Sequence, residues 1–569
     1  QITDRPEIFS NGRHWTINPD APAEQRIVER QLETDGTRFR LPWAFDPQTA
    51  VRRTLRLSAI QPDQLDDIAA ELSTAIGLAA LFLQRLHTLE VTRSGKLLRR
   101  ITRRQNDNGR ITLHEADGSG VTWLLFSGSF NAAAEQLRSQ FPWQIEAARR
   151  SAIHLALPLT GMAGPGRLFA GLPTATTIPL SLHISADFFP TTDRKRIHFD
   201  GGYQAAWNQA AITCAAETLA AALPELRDAL SPVSLWQLLQ QTAYTRELAD
   251  QGDAPAPLAQ FWQTAVPILA AHPFIYTVHQ TWALPPQTRL WTPAESNRRQ
   301  PDNAAADLLA RLNIPLVHPD LSGVFPLLRR PEIGAPDLQV ADIAAALTRL
   351  DLTRPTALAD APPPLHTLDA WLSLWRILDD LYGRLIHAAD REAALNALAA
   401  CALILSDNLI VQKPGRVYQG TPESQALFPD VPWLHPQTPR EQFPGRLAPR
   451  FGARQAVERV ANTSPEQLQA DWQTGRLDIA RLFRWLEGQQ IEIFADDPRL
   501  RGEIRRLPLC PVDGELRPLN HLYLPGGFTD PLKLAGLIDL EAVGGRRQFF
   551  LDLGVAELDF FTYVEEVMP

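Results

Sequence analysis

The sequence predicts an α+β protein in which a helix-plus-sheet domain is followed by mostly helical modules with small β-hairpin repeats. Three observations predict this class. One long stretch repeats apolar residues at helical spacing, several shorter stretches alternate as strands do, and three later segments share a strand–turn–strand pattern. The 569 residues exceed what one hydrophobic core usually supports, so several domains are expected.

Composition argues against several classes of protein. No apolar run approaches the ~20 residues that a membrane helix needs, so no membrane partner is expected. The net charge of -9 disfavours a surface dominated by affinity for nucleic acid. Cys214, Cys401 and Cys510 are widely spaced, which favours a reducing cytoplasm over a disulfide framework or a zinc site. The preference for arginine over lysine is typical of a GC-rich bacterial genome.

The first segment, residues 1–46, is predicted to consist of turns that lead into one strand. Residues 37–45 alternate apolar and polar side chains, and Pro47 stops the pattern. Because the first residue is Gln1 rather than Met and no secretory signal follows, we expect a segment of a longer protein.

The second segment, residues 47–230, is predicted to form a helix followed by a sheet. Apolar residues recur every three or four positions over 62–89, which predicts one long helix. Gly161, Gly164 and Gly166 imitate a nucleotide-binding loop, but a strand follows where a phosphate loop needs a helix, so a hairpin connection is predicted. The predicted strands lie at 89–93, 96–104, 110–116, 121–128 and 152–159.

Residues 181–199 are predicted to form a strand, a tight polar turn and a return strand. Leu182, Ile184 and Ala186 would pack inward while the turn stays exposed. The turn carries three consecutive cations, Arg194, Lys195 and Arg196. A guanidinium suits an anion, so Arg194 on this turn could contact a phosphate held by a neighbouring domain. A basic turn that only keeps the loop soluble is the alternative.

Two stretches of the chain resemble the sacsin-like and ninety-kilodalton heat-shock-chaperone-like GHKL ATPases. The sequence DFFPTTDRKRIHF, followed by Trp207 and Asn208, is similar to that family's strand, Asn-Arg-Arg-type tip and Trp-Asn-led helix, with Asp193 in place of the Asn. The strand that closes the family's ATPase domain is matched by Gly36, Thr37, Phe39, Arg40 and Pro42.

The resemblance implies a role for each part. Residues 47–230 would form the middle domain, and Arg194, with Lys195 and Arg196 beside it, would contact the γ-phosphate of ATP bound with Mg²⁺ in the protein's own N-terminal ATPase domain. The motifs of that domain are not found here, so this segment alone is expected to hold no cofactor and to be inactive. A homodimer and an unfolded client protein are further partners that the resemblance suggests.

Residues 231–355 and 356–569 are predicted to form two helical modules with hairpin units. The hairpin segments begin at His272, Cys401 and Leu507. The first and third are each expected to be followed by a helix and a short strand, at 308–317 and 549–558. Tryptophans of these modules could bind a client protein, or fill the cores, as their helical spacing favours: Trp262, Trp282, Trp291, Trp371, Trp375, Trp472 and Trp485.

A second candidate site is the basic ribbon formed by Arg99, Arg100, Arg103 and Arg104. These side chains could neutralise phosphates of DNA or RNA, as in a bacterial defence or DNA-processing ATPase. Charges that protect an exposed edge strand are the favoured alternative. A nucleotide-independent interaction scaffold is a third interpretation of the whole chain.

Histidines do not form a predicted metal site. His154, His183 and His198 lie on predicted strands without ligand spacing, so they are expected to be satisfied within the fold or exposed.

Overall fold

The computed structural model describes residues 3–33, 36–46, 49–106, 110–159, 164–292 and 303–568. Helices and sheets are both abundant in it, which confirms the α+β class. The chain forms two compact units. Unit 1 comprises Gln1–Phe274 and Gly323–Gly334, and unit 2 comprises Ile275–Ser322 and Ala335–Pro569. The four segments expected from the sequence stay a prediction, because one compact unit can contain more than one of them.

Unit 1 begins with a four-stranded antiparallel sheet. The strands are β1 (Glu7–Ser10), β2 (Arg13–Ile17), β3 (Ile27–Gln31) and β4 (Arg38–Arg40), in the order β3–β2–β1–β4. Turns alone were expected before residue 34, which is wrong, because Asn11 and Gly12 at positive φ connect a hairpin. The strand expected at 37–45 is only β4, since Pro42 has no N–H to continue a ladder.

A mixed eight-stranded sheet forms the centre of unit 1. Its strands are β5 (Thr88–Arg93), β6 (Lys96–Gln105), β7 (Ile111–Glu115), β8 (Gly120–Ser129), β9 (Ala152–Pro158), β10 (Gly166–Ala170), β11 (Leu172–Ile178) and β12 (His183–Ala186). Their order is β11–β10–β12–β9–β8–β7–β6–β5, with β10 and β12 parallel. The five strands predicted before residue 160 are present. Strand β11 was not predicted; the chain turns back to it at Gly171, a residue at positive φ.

Helices cover both faces of this sheet. The helices of unit 1 up to residue 274 are α1 (Ala50–Thr54), α2 (Pro62–Ala79), α3 (Asn131–Gln140), α4 (Gly202–Ala221), α5 (Leu223–Ala229), α6 (Pro232–Ala243), α7 (Thr245–Gln251) and α8 (Phe261–Ala270). The predicted helix over 62–89 is therefore shorter, and α3 was not foreseen. Residues at the end of α2 pack with Trp123 of β8, whereas α4 packs against β8 and β9 at Gly128. Trp123 and Gly128 are an odd number of residues apart on β8, so they face opposite sides of the sheet. The two helices that contact them therefore lie on opposite faces.

Coverage of both faces explains the burial of β12. Leu182, Ile184 and Ala186 are buried, as predicted, but His183 and Ser185 between them are buried as well. Side chains along a strand alternate between buried and exposed only when one face of the sheet contacts water. Both faces are covered at β12, so its neighbouring side chains are all buried.

Unit 2 consists of helices and short strands. In chain order from residue 275 the strands are β13 (Ile275–Tyr276), β14 (Trp282–Ala283), β15 (Thr356–Ala357), β16 (Ile404–Leu405), β17 (Ile410–Gln412), β18 (Pro508–Val512) and β19 (Glu515–Pro518). The helices are α9 (Asn303–Arg311), α10 (Phe325–Leu328, in unit 1), α11 (Val340–Arg349), α12 (Leu368–Gly383), α13 (Ala388–Ala399), α14 (Pro422–Leu427), α15 (Phe443–Arg446), α16 (Ala453–Ala461), α17 (Pro465–Gln473), α18 (Ile479–Glu487), α19 (Arg499–Arg506), α20 (Arg547–Leu553) and α21 (Phe560–Thr562). Two hydrophobic clusters lie within the unit.

Unit 2 contains three copies of one hydrogen-bonded motif. In each copy a hairpin (β13–β14, β16–β17 or β18–β19) is followed by two consecutive residues that form parallel bridges with two later segments. A helix starts three residues after the second bridge: α11, α16 or α21. The bridged pairs are Arg289 with Leu316 and Leu290 with Asp337, Tyr418 with Trp433 and Gln419 with Arg450, and Tyr523 with Leu537 and Leu524 with Glu557.

The bridges correct the sequence alignment of the repeats. Residues 308–317 contain Leu316, at the first bridge, whereas 549–558 contain Glu557, at the second bridge. The two segments therefore occupy different positions of the motif, although both are a helix followed by a short extended stretch. Hydrophobic similarity alone could not distinguish the first-bridge position from the second-bridge position, because a buried extended segment occupies each of them.

Three further features bear on the sequence predictions. Trp262, Trp371, Trp375 and Trp485 are buried, which is the core role that their helical spacing favours. The three cysteines are free and buried. In the part of the chain that the structure describes, no helix is long and apolar enough to cross a membrane.

Burial of His183 makes the stability of the fold depend on pH. Its Nδ1 accepts a hydrogen bond from the Arg167 amide over 3.0 Å. Burial, with a smaller contribution from the charge of Arg167, lowers the pKa of His183 to about 4. The neutral ring is therefore the form that the folded protein contains. Between the ordinary pKa of 6.5 and about 4, His183 is protonated in the unfolded chain but stays neutral in the folded chain.

We predict that replacing His183 by Asn, which keeps an acceptor but does not titrate, flattens the pH dependence of stability. As pH falls from 6.5 toward 4, the wild type should lose about 3 kcal/mol of unfolding free energy that the variant keeps. Urea unfolding of both proteins across this range measures the difference. Parallel stability profiles for the two proteins would contradict the prediction.

Candidate functional site

The predicted cationic tip is a tight turn held by its own hydrogen bonds. Thr191 N donates to Arg196 O, and Arg194 N donates to Thr191 O, each over 2.8 Å. Asp193 Oδ1 accepts from Thr191 Oγ1 at 2.6 Å and from Lys195 N at 3.0 Å. These two hydrogen bonds, that of Thr191 foremost, lower the pKa of Asp193. Asp193 thus provides the local bonding of the turn at the position where the resembling family has Asn.

The three cations of the tip point into solvent. Arg194, Lys195 and Arg196 are all exposed, and no ion pair joins any of them to a described residue. Arg194 has a φ of 57°, in the left-handed region. A non-glycine residue in that region costs of order 1 kcal/mol. Other turns of the chain contain residues in the same region, for example Ser94 and Lys533.

Asn208 of α4 holds the base of the hairpin through its side-chain amide. Its side chain is fully buried. Its Oδ1 accepts from Phe189 N at 2.8 Å, and its Nδ2 donates to Phe189 O at 2.8 Å and to His198 O at 2.6 Å. One amide therefore holds both arms of the hairpin. The neighbouring Trp207 Nε1 donates to Asp187 O over 3.0 Å.

The return arm is not the strand that the sequence predicted. Among the described residues its only ladder contact with the outgoing arm is a bridge between Pro190 and Ile197. The arm instead bonds to β11, where Ala175 N donates to Lys195 O at 2.7 Å and Ile197 N donates to Thr176 Oγ1 at 2.9 Å. Backbone hydrogen bonds from Thr191 N to Arg196 O and from His198 N to Phe189 O flank the bridge, and side-chain amide and hydroxyl groups add further contacts.

Arg149 supports the outgoing arm of the hairpin. Its guanidinium lies 3.6 Å from the centroid of the Phe189 ring and donates to Asp187 Oδ1 over 3.1 Å. Arg149 also pairs with Glu146 at 2.9 Å. The base of the hairpin is thus fixed from α4 and from the segment before β9.

The basic ribbon does not form a continuous cationic surface. The Arg99 guanidinium forms an ion pair with Glu115 over 2.5 Å and donates to the Ser73 carbonyl of α2 over 2.5 Å. Arg100 pairs with Glu90 over 2.6 Å. These two arginines connect elements of unit 1, so their charges are compensated locally.

The remaining ribbon residues differ from one another. Arg103 is buried, with 6% of its surface exposed, and Arg104 is exposed. Both lie on β6, which has a neighbour on each side, so the expected protection of an edge strand does not apply to them. Whether each of these arginines is buried, paired or exposed depends on strand register and on tertiary packing. A run of cations in the sequence predicts neither of these.

The other candidate motifs have structural explanations. Gly161 lies outside the described residues. Gly166 begins β10, where a Cβ would lie 1.7 Å from the Leu182 carbonyl oxygen, so close packing requires the glycine. His154 is half-buried and its Nδ1 lies 2.7 Å from Ser127 Oγ. Within the described residues, no cluster of His, Cys, Asp and Glu side chains could hold a metal ion.

Comparisons with known proteins add no assignment. The sequence matches no protein-family model, and neither a curated protein nor a solved structure shows significant similarity to it. Support for a function therefore comes from the residues of the hairpin and from their resemblance to the sacsin-like pattern.

We predict that Asn208→Asp loosens the hairpin. The substitution keeps the size of the side chain but turns an oxygen toward the carbonyls of Phe189 and His198. Two hydrogen bonds should be replaced by repulsion, which should lower the unfolding free energy by about 2–3 kcal/mol. Amide hydrogen exchange should accelerate in residues 189–198, and Asn106→Asp, at an exposed position, serves as the control. Unchanged exchange in the hairpin would refute the role of Asn208.

Proposed function

We propose that this chain is the nucleotide-sensing middle and C-terminal part of a cytoplasmic, sacsin-like ATP-dependent chaperone-type protein. Arg194, with Lys195 and Arg196 beside it, contacts the γ-phosphate of ATP–Mg²⁺ bound by an ATPase domain on the N-terminal side. One observation carries the proposal: three consecutive, exposed cations that form no ion pair with a described residue lie on a turn whose base is fixed by a buried amide.

A fixed turn suits this task for a physical reason. Donors that already point at the place where negative charge develops need no reorganisation when the reaction occurs. A flexible loop would lose about 1–2 kcal/mol of conformational entropy for each residue that it orders on contact. Here hydrogen bonds to Asp193 and Asn208 hold the turn before any anion arrives. The neighbouring Lys195 and Arg196 add to the local positive potential.

The same contacts link the tip to the core of unit 1. Asn208 and Trp207 lie on α4, which packs against β8, β9 and α8. Any displacement of the hairpin toward a nucleotide acts on a helix that the core holds on several sides. Coupling requires two states that differ in their affinity for the nucleotide. In this proposal closure of the ATPase domain on the tip stabilises one of them.

We predict that Arg194→Asn slows ATP hydrolysis with little effect on ATP binding. Asn tolerates positive φ, so the turn should keep its shape while the guanidinium is lost. In the polypeptide that includes the ATPase domain, kcat should fall about a hundredfold, as for loss of one transition-state donor. The Kd for ATP should change little. Steady-state hydrolysis and equilibrium binding measure the two quantities, and Arg194→Ala should behave alike.

Arg104→Asn is the matched control, since Arg104 is an exposed arginine of the same unit. Its hydrolysis rate should equal that of the wild type. Wild-type turnover in both Arg194 variants would overturn the proposal. A loss of ATP binding equal to the loss of kcat would also overturn it, because the tip would then be part of the ground-state site.

The alternatives have less support from the contacts. In the nucleic-acid interpretation Arg99, Arg100, Arg103 and Arg104 would bind phosphates. The first two are paired and the third is buried, which leaves Arg104 as the one of the four that is exposed and forms no ion pair with a described residue. In the scaffold interpretation the tip would be a merely solvated loop, and its three adjacent exposed cations, on a turn that is fixed at its base, would have no ligand. An unfolded client and a second copy of the chain are partners within the chaperone proposal.

A further inference from the structure

A cavity of about 620 Å³ opens beside the eight-stranded sheet of unit 1. Three parts of the unit line it: the segment that follows α2, the start of β9, and the end of β12 with the β10–β11 turn. Its volume lies within the range of small-molecule sites. None of the residues at this place was predicted from the sequence to bind a ligand.

The cavity contains two cations that no described residue neutralises. Arg85 and Arg150 are exposed, line the cavity and form no ion pair with a described residue. Asp187 is the carboxylate of the wall, and its charge is already compensated by Arg149, 3.1 Å away. Asp187 Oδ2 also accepts from the Arg150 amide over 3.0 Å, which fixes the backbone that carries this cation. The cavity therefore has an excess of positive charge.

An imidazole and a hydroxyl complete the polar side of the wall. His154 and Ser185 are opposite each other in the register of β9 and β12, and both line the cavity. Ser127 on β8 is also opposite His154, with Oγ 2.7 Å from Nδ1. Burial lowers the pKa of His154, so the ring is neutral at neutral pH. With Nδ1 engaged by Ser127, the other ring nitrogen is left for a ligand.

The opposite side of the wall is apolar. Phe82 and Leu83, both partly buried, and the exposed Leu86 contribute hydrocarbon surface to the cavity. Phe82 is held in place by an edge-to-face contact with Phe169 of β10, at 4.8 Å between ring centroids. A ligand that fits both sides carries a negative charge at one end and a ring or alkyl chain at the other.

We propose that this cavity binds a small organic anion, with its oxyanion between Arg85 and Arg150 and its apolar part against Phe82 and Leu83. His154 is a hydrogen-bonding group whose ring Ser127 positions. Guanidinium groups bind carboxylates and phosphates by the same planar pairs of N–H donors, so the charge requirement is shared. The inference does not depend on the proposed nucleotide function, because none of these residues belongs to the tip.

Calorimetry with four probes tests the proposal on the complete chain. Phenyl phosphate and phenylacetate carry a ring with either oxyanion, inorganic phosphate lacks the ring, and benzyl alcohol lacks the charge. At least one ring anion should bind with a Kd of about 1 mM or tighter, and more tightly than inorganic phosphate and benzyl alcohol. The stronger of the two ring anions identifies the ligand class as phosphate or carboxylate.

The double variant Arg85→Gln/Arg150→Gln should weaken ring-anion binding at least about tenfold, since two charge-assisted contacts are lost. Arg104→Gln is the control and should bind as the wild type does. Both changed side chains are exposed, so thermal unfolding should be unaltered. A ring anion should also shift the His154 Cε1–H resonance, and less so in Ser127→Ala. Absence of ring-anion binding, equal binding of inorganic phosphate, or undiminished binding by the double variant would each overturn the proposal.

Discussion

The buried amide of Asn208 is the interaction on which the candidate site depends. Its three hydrogen bonds go to backbone groups of both hairpin arms, at Phe189 and His198. A buried amide that loses its partners costs several kcal/mol, so the base of the hairpin cannot shift freely. The two arms share a single bridge among the described residues, and this side chain adds to it. The orientation of the cationic tip is consequently determined by helix α4 together with the hydrogen bonds of the return arm to β11.

Helix α4 can hold the hairpin because it lies very close to the sheet. At Gly128 of β8 a Cβ would lie 2.0 Å from Thr218 Oγ1 of α4, so only glycine permits this approach. The segment at the end of α2 covers the opposite face, and the central strands become buried on both sides. Beyond the end of α2, residues 82–86 face part of the same sheet across a cavity. Ser127, His154 and Ser185 gather there and line, or support, the second site.

Much of the fold was predictable from local pattern. Strands β5 to β9 follow from alternation and from Gly and Asn turns, and the exposed cations of the tip follow from three charges in a polar turn. The β1–β2 hairpin carried a usable signal, Asn11–Gly12, that polar composition concealed. Pairing across the chain was not predictable: Arg99 reaches Glu115, and His154 meets Ser127, only because of the register between strands. The role of Asn208 likewise requires the tertiary fold. The resemblance marks Trp207 and Asn208 at the start of a helix, but not the hydrogen bonds of the Asn208 amide to Phe189 and His198.

The central claim is that the tip reaches the terminal phosphate of a bound nucleotide. This chain contains four lysines, Lys96, Lys195, Lys413 and Lys533, so an amine-reactive label can discriminate among them. The direct measurement uses an ATP analogue with the reactive group on its γ-phosphate, the polypeptide that includes the ATPase domain, and mass spectrometry of the products. The account predicts modification of Lys195 that excess ATP prevents. Labelling of the other lysines without Lys195, or labelling that ATP does not compete, would contradict it.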